Sequence, residues 1–286
     1  MYDSILLPVD GSAHAEIVQR HAAELAQWAD ATVELLYVAD TTRDSVTVLG
    51  DDVIDALVRY GEEVVAEAGE TFDAHGVGYE TAVVQGRPAD AIVEQATERG
   101  HDLVVMPTHG RTGVSRFFLG SVTESVVRDA DVPVLTARSR DERYDFPYER
   151  LLVPTDGSTT ANTAIDHALD LAESMDADVD VLSVVNEASL GLDTRSTVIL
   201  DELEAQADET VASAVAQAEA RGIEADGHVA HGSPPDVISD RAGEVDADAI
   251  VMGTTGRSGL DRVLLGSVTE RTVRSADVPV LTVRPE

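Results

Sequence analysis

The sequence predicts an α/β protein made of two tandem copies of one doubly wound, open parallel-sheet domain. Three observations carry this: an internal repeat of constant offset, an alternation of strand-length apolar runs with helix-length amphipathic stretches, and glycine-rich loops that follow the strands. A chain of 286 residues with 43% hydrophobic residues suits two domains of ordinary size. Aromatic residues are only 4%, so the cores must be built mainly from Val, Leu, Ile and Ala.

The repeat is read directly. Tyr2–Ser12 is YDSILLPVDGS and Tyr148–Ser158 is YERLLVPTDGS, an offset of 146. Leu119–Arg138 and Leu265–Arg284 match at 16 of 20 positions with the same offset. Gly86-Arg-Pro-Ala-Asp90 aligns with Gly232-Ser-Pro-Pro-Asp236 in between. Whole domains therefore align without net insertion, which marks domain duplication rather than a short solenoid repeat. The expected domains are residues 1–138 and 148–286. The polar, aromatic-ending stretch 139–147 is a linker so short that the domains are expected to pack against each other.

Within the first repeat, strands are expected at Ile5–Val9, Thr32–Val38, Tyr79–Val84, Leu103–Met106 and Val132–Thr136. Their near-continuous apolar character suits parallel strands covered on both faces. Helical spacing is found over Ala13–Ala29, Asp52–His75, Ala89–Arg99 and Val122–Asp129. With right-handed crossovers, βαβαβαβαβ becomes a doubly wound sheet whose ligands sit beyond the carboxyl ends of the strands. Functional loops are thus expected after strands one, two and four. Thr41–Asp51 and Glu187–Thr197, which follow the second strands, read as variable loops over the site.

Charge narrows the partners. There are 54 acidic and 20 basic residues, a net charge of −34, and every basic residue is Arg. The acids are scattered, which reads as a folded acidic surface rather than a disordered tail. Such self-repulsion weakens a compact state in dilute salt, whereas ~1 M salt shortens the screening length to about 3 Å. A salt-rich cytoplasm is the expected setting. Nucleic acid and anionic membrane surfaces are disfavoured, because both require basic patches. With no Cys, thiol chemistry and disulfides are excluded. No apolar run approaches a membrane span, and the first ten residues lack the basic start of a signal peptide.

The loop after the fourth strand of the second repeat reads Met252-Gly253-Thr254-Thr255-Gly256, then nine residues, then Gly266-Ser267-Val268-Thr269. Its glycines permit positive φ and close backbone approach. The helix start it feeds offers N–H groups and a dipole to an anion. Ser267–Glu270 and Ser121–Glu124 also have the form of capping boxes, with Ser as N-cap, which is a purely structural role. The loop after the first strand reads Pro8-Val9-Asp10-Gly11-Ser12 and Pro154-Thr155-Asp156-Gly157-Ser158. It is either a turn ending in a Ser N-cap or a carboxylate at the crevice mouth, facing base or ribose as acceptor.

The Gly-x-x-Gly, nine-residue, Gly-Ser spacing, the Pro-x-Asp-Gly-Ser loop and the terminal Val-Pro-Val-Leu-Thr strand together resemble the ATP-binding class of universal stress proteins, over both repeats nearly end to end. The resemblance implies Rossmann-like five-stranded parallel sheets of order 3-2-1-4-5, pairing through the last strands (here within one chain), and ATP with Mg²⁺ as ligand. In the second repeat it implies binding by Pro154, Thr155 and Asp156, by Val184, by Met252, Gly253, Thr255 and Gly256, and by Gly266, Ser267, Val268 and Thr269. In the first repeat the matching residues are Pro8, Val9, Asp10, Val38, Met106, His109, Gly110, Gly120, Ser121, Val122 and Thr123. Pro107 replaces the first motif glycine there. Because Pro fixes φ and lacks an N–H, the first site is expected to be the weaker one.

Arg111, Arg116, Arg257 and Arg262 are local cations for phosphate or partners for nearby acids. Walker A and nucleophile-elbow sequences are absent, as is any paired-His metal motif. The pairs His14/His21 and His228/His231 are expected at the surface. Three functions remain open: a nucleotide-binding stress protein acting through conformation or partners; a slow ATPase or autophosphorylating protein with Ser121, Ser267, Thr123 or Thr269 as acceptors; and an interaction module without nucleotide. The exposed sheet edges would also suit a dimer of chains.

Overall fold

The structure, a computed structural model, describes residues 1–12, 15–42, 51–109, 119–138, 144–186, 197–256 and 265–285. It divides into two compact units, Tyr2–Phe146 and Pro147–Glu286. The expected variable loops after the second strands fall largely outside the described residues, as do Gly110 and all four of the loop arginines.

In the first unit β1 (Ser4–Pro8), α1 (Glu16–Ala29), β2 (Thr32–Ala39), α2 (Asp51–His75), β3 (Tyr79–Gln85), α3 (Pro88–Glu98), β4 (Leu103–Pro107), α4 (Ser121–Asp129) and β5 (Val134–Ala137) follow one another. The strands are parallel and lie in the order β3-β2-β1-β4-β5. The second unit repeats this with β6 (Arg150–Pro154), α5 (Thr159–Met175), β7 (Asp178–Val185), α6 (Thr197–Ala220), β8 (Ala225–His231), α7 (Pro234–Glu244), β9 (Ala249–Gly253), α8 (Ser267–Ser275) and β10 (Val280–Val283). Its order is β8-β7-β6-β9-β10. The expected doubly wound fold is present twice, down to the register: Leu6 pairs with Val104 as Leu152 pairs with Ile250.

The central strands are buried on both faces, as their apolar runs require. Ile5, Leu6 and Leu7 in β1 and Leu151, Leu152 and Val153 in β6 are at most 1% exposed. Asp102 fixes the start of β1 by accepting from the N–H groups of Asp3 and Ser4 at 2.8 and 2.9 Å. Asp248 does the same for Glu149 and Arg150 at 2.7 and 2.9 Å.

Each second strand also carries a buried carboxylate in the same register. In the first unit Glu34 accepts from Gln95 Nε2 at 2.5 Å and faces His101 Nε2 at 3.3 Å and Arg99 Nε at 3.7 Å. In the second, Asp180 is gripped by both arms of Arg241, at 3.1 and 2.6 Å. Arg241 stands where the first repeat has Gln95, so one charge-paired partner replaces a dispersed polar set. Removing one member of such a pair strands a charge, whereas replacing both by apolar groups does not. Arg241→Met alone should therefore cost about 3–5 kcal/mol of unfolding free energy, and Asp180→Leu/Arg241→Met much less, as denaturant titration of both variants would show.

His21 corrects a sequence expectation. It is 1% exposed rather than at the surface, because Tyr144 and Phe146 pack against it. The Tyr144 and Phe146 rings lie 5.3 and 5.7 Å from the imidazole, and Phe146 also meets Trp28 edge-on at 6.1 Å. His14 lies outside the described residues, while His228 and His231 are exposed as expected. Burial pushes the His21 pKa down to about 4. A base depressed in the folded state stabilises the fold above its unfolded pKa of about 6.5 and loses that contribution as pH falls toward 4. His21→Leu should remove about 3 kcal/mol of the stability lost between pH 6.5 and pH 4, as parallel chemical denaturation across that range would reveal.

Candidate functional site

At the carboxyl ends of β6 and β9, where the strand order reverses, the second unit holds a crevice of about 440 Å³. Every one of the twelve residues singled out in this repeat lines it. Pro154, Thr155 and Asp156 come from the end of β6, and Val184 from β7. Met252, Gly253, Thr255 and Gly256 come from β9 and the loop after it, and Gly266, Ser267, Val268 and Thr269 from the start of α8.

The loop after β6 is shaped by its own side chains. Asp156 Oδ1 accepts from Ser158 N at 3.0 Å, and Thr155 Oγ1 from Gly157 N at 3.2 Å. Gly157 takes φ 72°, the left-handed region that glycine tolerates. Ser158 then caps α5, its Oγ accepting from Ala161 N at 3.2 Å. The turn reading is realised, and Asp156 also lines the crevice.

The loop after β9 corrects the reason for its glycines. Gly253, Gly256 and Gly266 do not adopt positive φ; they are glycines because other groups touch their Cα atoms. A Cβ on Gly253 would lie 2.6 Å from Thr160 Cγ2 and 3.1 Å from the Thr160 backbone. One on Gly256 would lie 2.7 Å from Asp156 Oδ2, and one on Gly266 3.0 Å from the Thr254 carbonyl. The three glycines thus draw the loops after β6 and β9 and the start of α8 together.

The capping boxes are also corrected. The N-cap of α8 is Gly266, in extended backbone with φ −61° and ψ 135°, and no side chain caps the helix; Gly120 plays the same part in α4. Ser267 and Ser121 are the first helical residues instead. The hydroxyls of Thr269 and Thr123 tie these helices down by donating to the Gly253 and Pro107 carbonyls at 2.8 and 2.9 Å. Gly266 N donates to Thr254 O at 2.9 Å. The first-turn N–H groups of a helix have no intrahelical acceptors, so a start without a side-chain cap presents partial positive charge to the crevice.

The crevice also has apolar lining. Leu182, Val184, Leu203, Ala207, Ile238 and Met252 contribute to it. The α6 and α7 residues among them escaped the motif reading. The signal was present as spacing: Leu203, Gln206, Ala207 and Thr210 repeat at three- and four-residue intervals along one face of α6. Pro234 of the Gly-Ser-Pro-Pro-Asp stretch, used only to align the repeats, lines the crevice too. Among the described residues no cluster of three or more His, Asp or Glu is placed to hold a metal ion. No described helix is long and apolar enough to cross a membrane.

The first unit places its counterparts in the same frame. Pro8 ends β1, Val38 lies in β2, Met106 in β4, and Gly120, Ser121, Val122 and Thr123 open α4. Val9 and Asp10 form the loop after β1, where Ser12 N donates to Asp10 Oδ1 at 2.9 Å and Gly11 takes φ 73°. His109 stands where the second unit has Thr255. Its Nδ1 lies 2.8 Å from Thr108 Oγ1, and burial followed by the charge of Arg138 pushes its pKa below the usual histidine range. The helix after the loop differs. α1 begins at Glu16, three residues later than α5, and Ser12 does not cap it: its buried Oγ meets no partner among the described residues. Pro107 stands where the second unit has Gly253. A side chain in the place of Gly253 would occupy the space that the first turn of α5 takes at Thr160.

Both halves match the family model described as the universal stress protein family, over residues 1–138 and 147–284. A universal stress protein of Methanocaldococcus jannaschii is 36% identical over 140 residues, covering 48% of this chain and 82% of that protein. One from Mycolicibacterium smegmatis is 26% identical over 297 residues, covering 98% of this chain and 97% of its own. The crystal structure of a universal stress protein from Archaeoglobus fulgidus superposes with a TM-score of 0.74 at 24% identity, covering 99% of this chain and 96% of that one, which shows the shared fold. The chain therefore belongs to the universal stress protein family, with two of its domains in tandem.

Proposed function

We propose that the second domain binds an adenine nucleotide, ATP with Mg²⁺, and that the chain acts in a stress response through nucleotide-dependent regulation or partner binding. The observation that carries this is the pairing, in one crevice of about 440 Å³, of an apolar slot with a helix N-terminus that no side chain caps. The volume lies within the range of small-molecule sites, which are mostly apolar with a few convergent polar groups. The N–H groups of Ser267, Val268 and Thr269 would take the phosphates, as helix N-termini take anions. Val184, Met252 and Leu203 would enclose the base, and Asp156 would accept from base or ribose at the opposite end. Mg²⁺ would arrive on the phosphates, where it offsets their charge; the Thr269 hydroxyl is already committed to Gly253, and the neutral donors of this helix start suit the phosphates themselves.

Ser267 allows a test that spares the fold. Proline is tolerated at the first helical position, and Gly266 already has the extended backbone that a following proline needs. Ser267→Pro should unfold at nearly the wild-type temperature yet bind Mg-ATP at least ~10-fold more weakly in calorimetry, having lost an N–H donor to phosphate, about 1.5–3 kcal/mol. Wild-type protein that gives no heat with Mg-ATP, with no nucleotide co-purifying in high salt, would refute the reading.

The acidic composition belongs to the same proposal, as adaptation to a salt-rich cytoplasm. At a net charge of −34, self-repulsion falls as salt screens it. Thermal unfolding should shift upward by several degrees between 0.1 and 2 M KCl, and a melting temperature independent of KCl would contradict the adaptation.

A further inference from the structure

We infer that Tyr37 and Tyr60 close the first unit's crevice from within, while Ser183 and Gln206 keep the second open, so that the chain carries one nucleotide; this rests on the nucleotide reading of the second crevice. The duplication supplies the comparison. At the offset of 146, Ser183 answers to Tyr37, Gln206 to Tyr60, Ala207 to Gly61 and Thr210 to Val64. In the second unit all four residues line the open crevice.

In the first unit the same positions make a packed plug. Tyr37 is 6% exposed, and its ring meets that of Tyr60 edge-on, with centroids 5.9 Å apart. Gly61 makes room for it: any Cβ there would collide with the Tyr37 ring, where the second unit has Ala207. Tyr60 and Val64 press on the loop after β1. A Cβ on Gly11 would lie 2.6 Å from Tyr60 Oη and 2.8 Å from Val64 Cγ2. Gly11 adjoins Asp10, the counterpart of the Asp156 carboxylate that lines the second crevice. The two phenol rings therefore stand between the second strand and the first loop, where the base end of the second crevice is open.

Glycine at 61 and tyrosine at 37 are a matched pair, since the alanine of the second unit would collide with the Tyr37 ring. The plug is thus a coordinated change at three positions, and it closes the base end independently of Pro107, which replaces the motif glycine on the neighbouring strand. Both differences act in the same direction. Close packing leaves little tolerance for an added ligand where side chains already fill the space.

The test transplants the plug both ways and reads nucleotide stoichiometry by native mass spectrometry and Mg-ATP calorimetry on the full chain in high salt. Wild type should bind one nucleotide. Ser183→Tyr/Gln206→Tyr/Ala207→Gly should still unfold cooperatively and lose at least 100-fold in affinity. Tyr37→Ser/Tyr60→Gln/Gly61→Ala, combined with Pro107→Gly, should raise the stoichiometry to two. Two nucleotides on the wild type, or unchanged affinity in the first variant, would overturn the inference while leaving the nucleotide reading intact. If the first variant does not fold, a stoichiometry that stays at one in the reciprocal variant overturns it. No binding by the wild type would instead bring down the nucleotide reading and the inference with it.

Discussion

The reversal of strand order between β6 and β9 is the constraint on which the rest of the second unit depends. Chains leaving these adjacent parallel strands cross to opposite faces of the sheet, so a gap opens between their carboxyl ends. The sequence must then bring three backbone segments close enough to frame that gap without filling it. Glycines 253, 256 and 266 do so at contact distance with Thr160, Asp156 and Thr254. Thr269 locks the helix start to the strand end through the Gly253 carbonyl, which leaves its own first turn facing the gap. A site built this way rests on rigid elements and backbone groups, so its geometry needs little help from mobile side chains.

Duplication lets one half of the molecule act as the control for the other. Strand register, the carboxylates of Asp102 and Asp248, the turns at Asp10 and Asp156 and the helix starts at Gly120 and Gly266 are common to both. The differences are of two kinds. Gln95 and His101 around Glu34 give way to Arg241 on Asp180, a change in how one buried charge is satisfied and of no consequence for the crevice. Pro107, His109, Tyr37 and Tyr60 change the crevice itself. Divergence that fills the crevice within a retained scaffold is the pattern expected when one copy keeps a ligand and the other keeps only the fold.

The fold was legible because its signals are local and doubled. Strand-length apolar runs and the offset of 146 showed the class and the duplication, the family resemblance supplied the strand order, and the twelve second-repeat residues that the resemblance implied line one crevice. What escaped depends on distance in space. The loop glycines read as permitting positive φ and close approach, and only the positions of Thr160 and Asp156 show that close approach, to the protein itself, is what residues 253 and 256 serve. The Ser-x-x-Glu spacing looked like a capping box, yet the helix starts one residue earlier in register and Gly takes the cap. His21 read as a surface residue because the rings that bury it, Tyr144 and Phe146, lie more than a hundred residues downstream. The α6 face of the crevice was visible as periodicity, but periodicity alone does not distinguish a core face from a ligand wall.

The central claim is that a nucleotide sits with its phosphates on the first turn of α8. A crystal structure of the chain grown in high salt with Mg²⁺ and a non-hydrolysable ATP analogue tests it most directly. The account predicts phosphate density within hydrogen-bonding distance of the backbone nitrogens of Ser267, Val268 and Thr269, with the base against Val184 and Met252. An analogue bound elsewhere on the chain, or an empty crevice at saturating analogue, would contradict it.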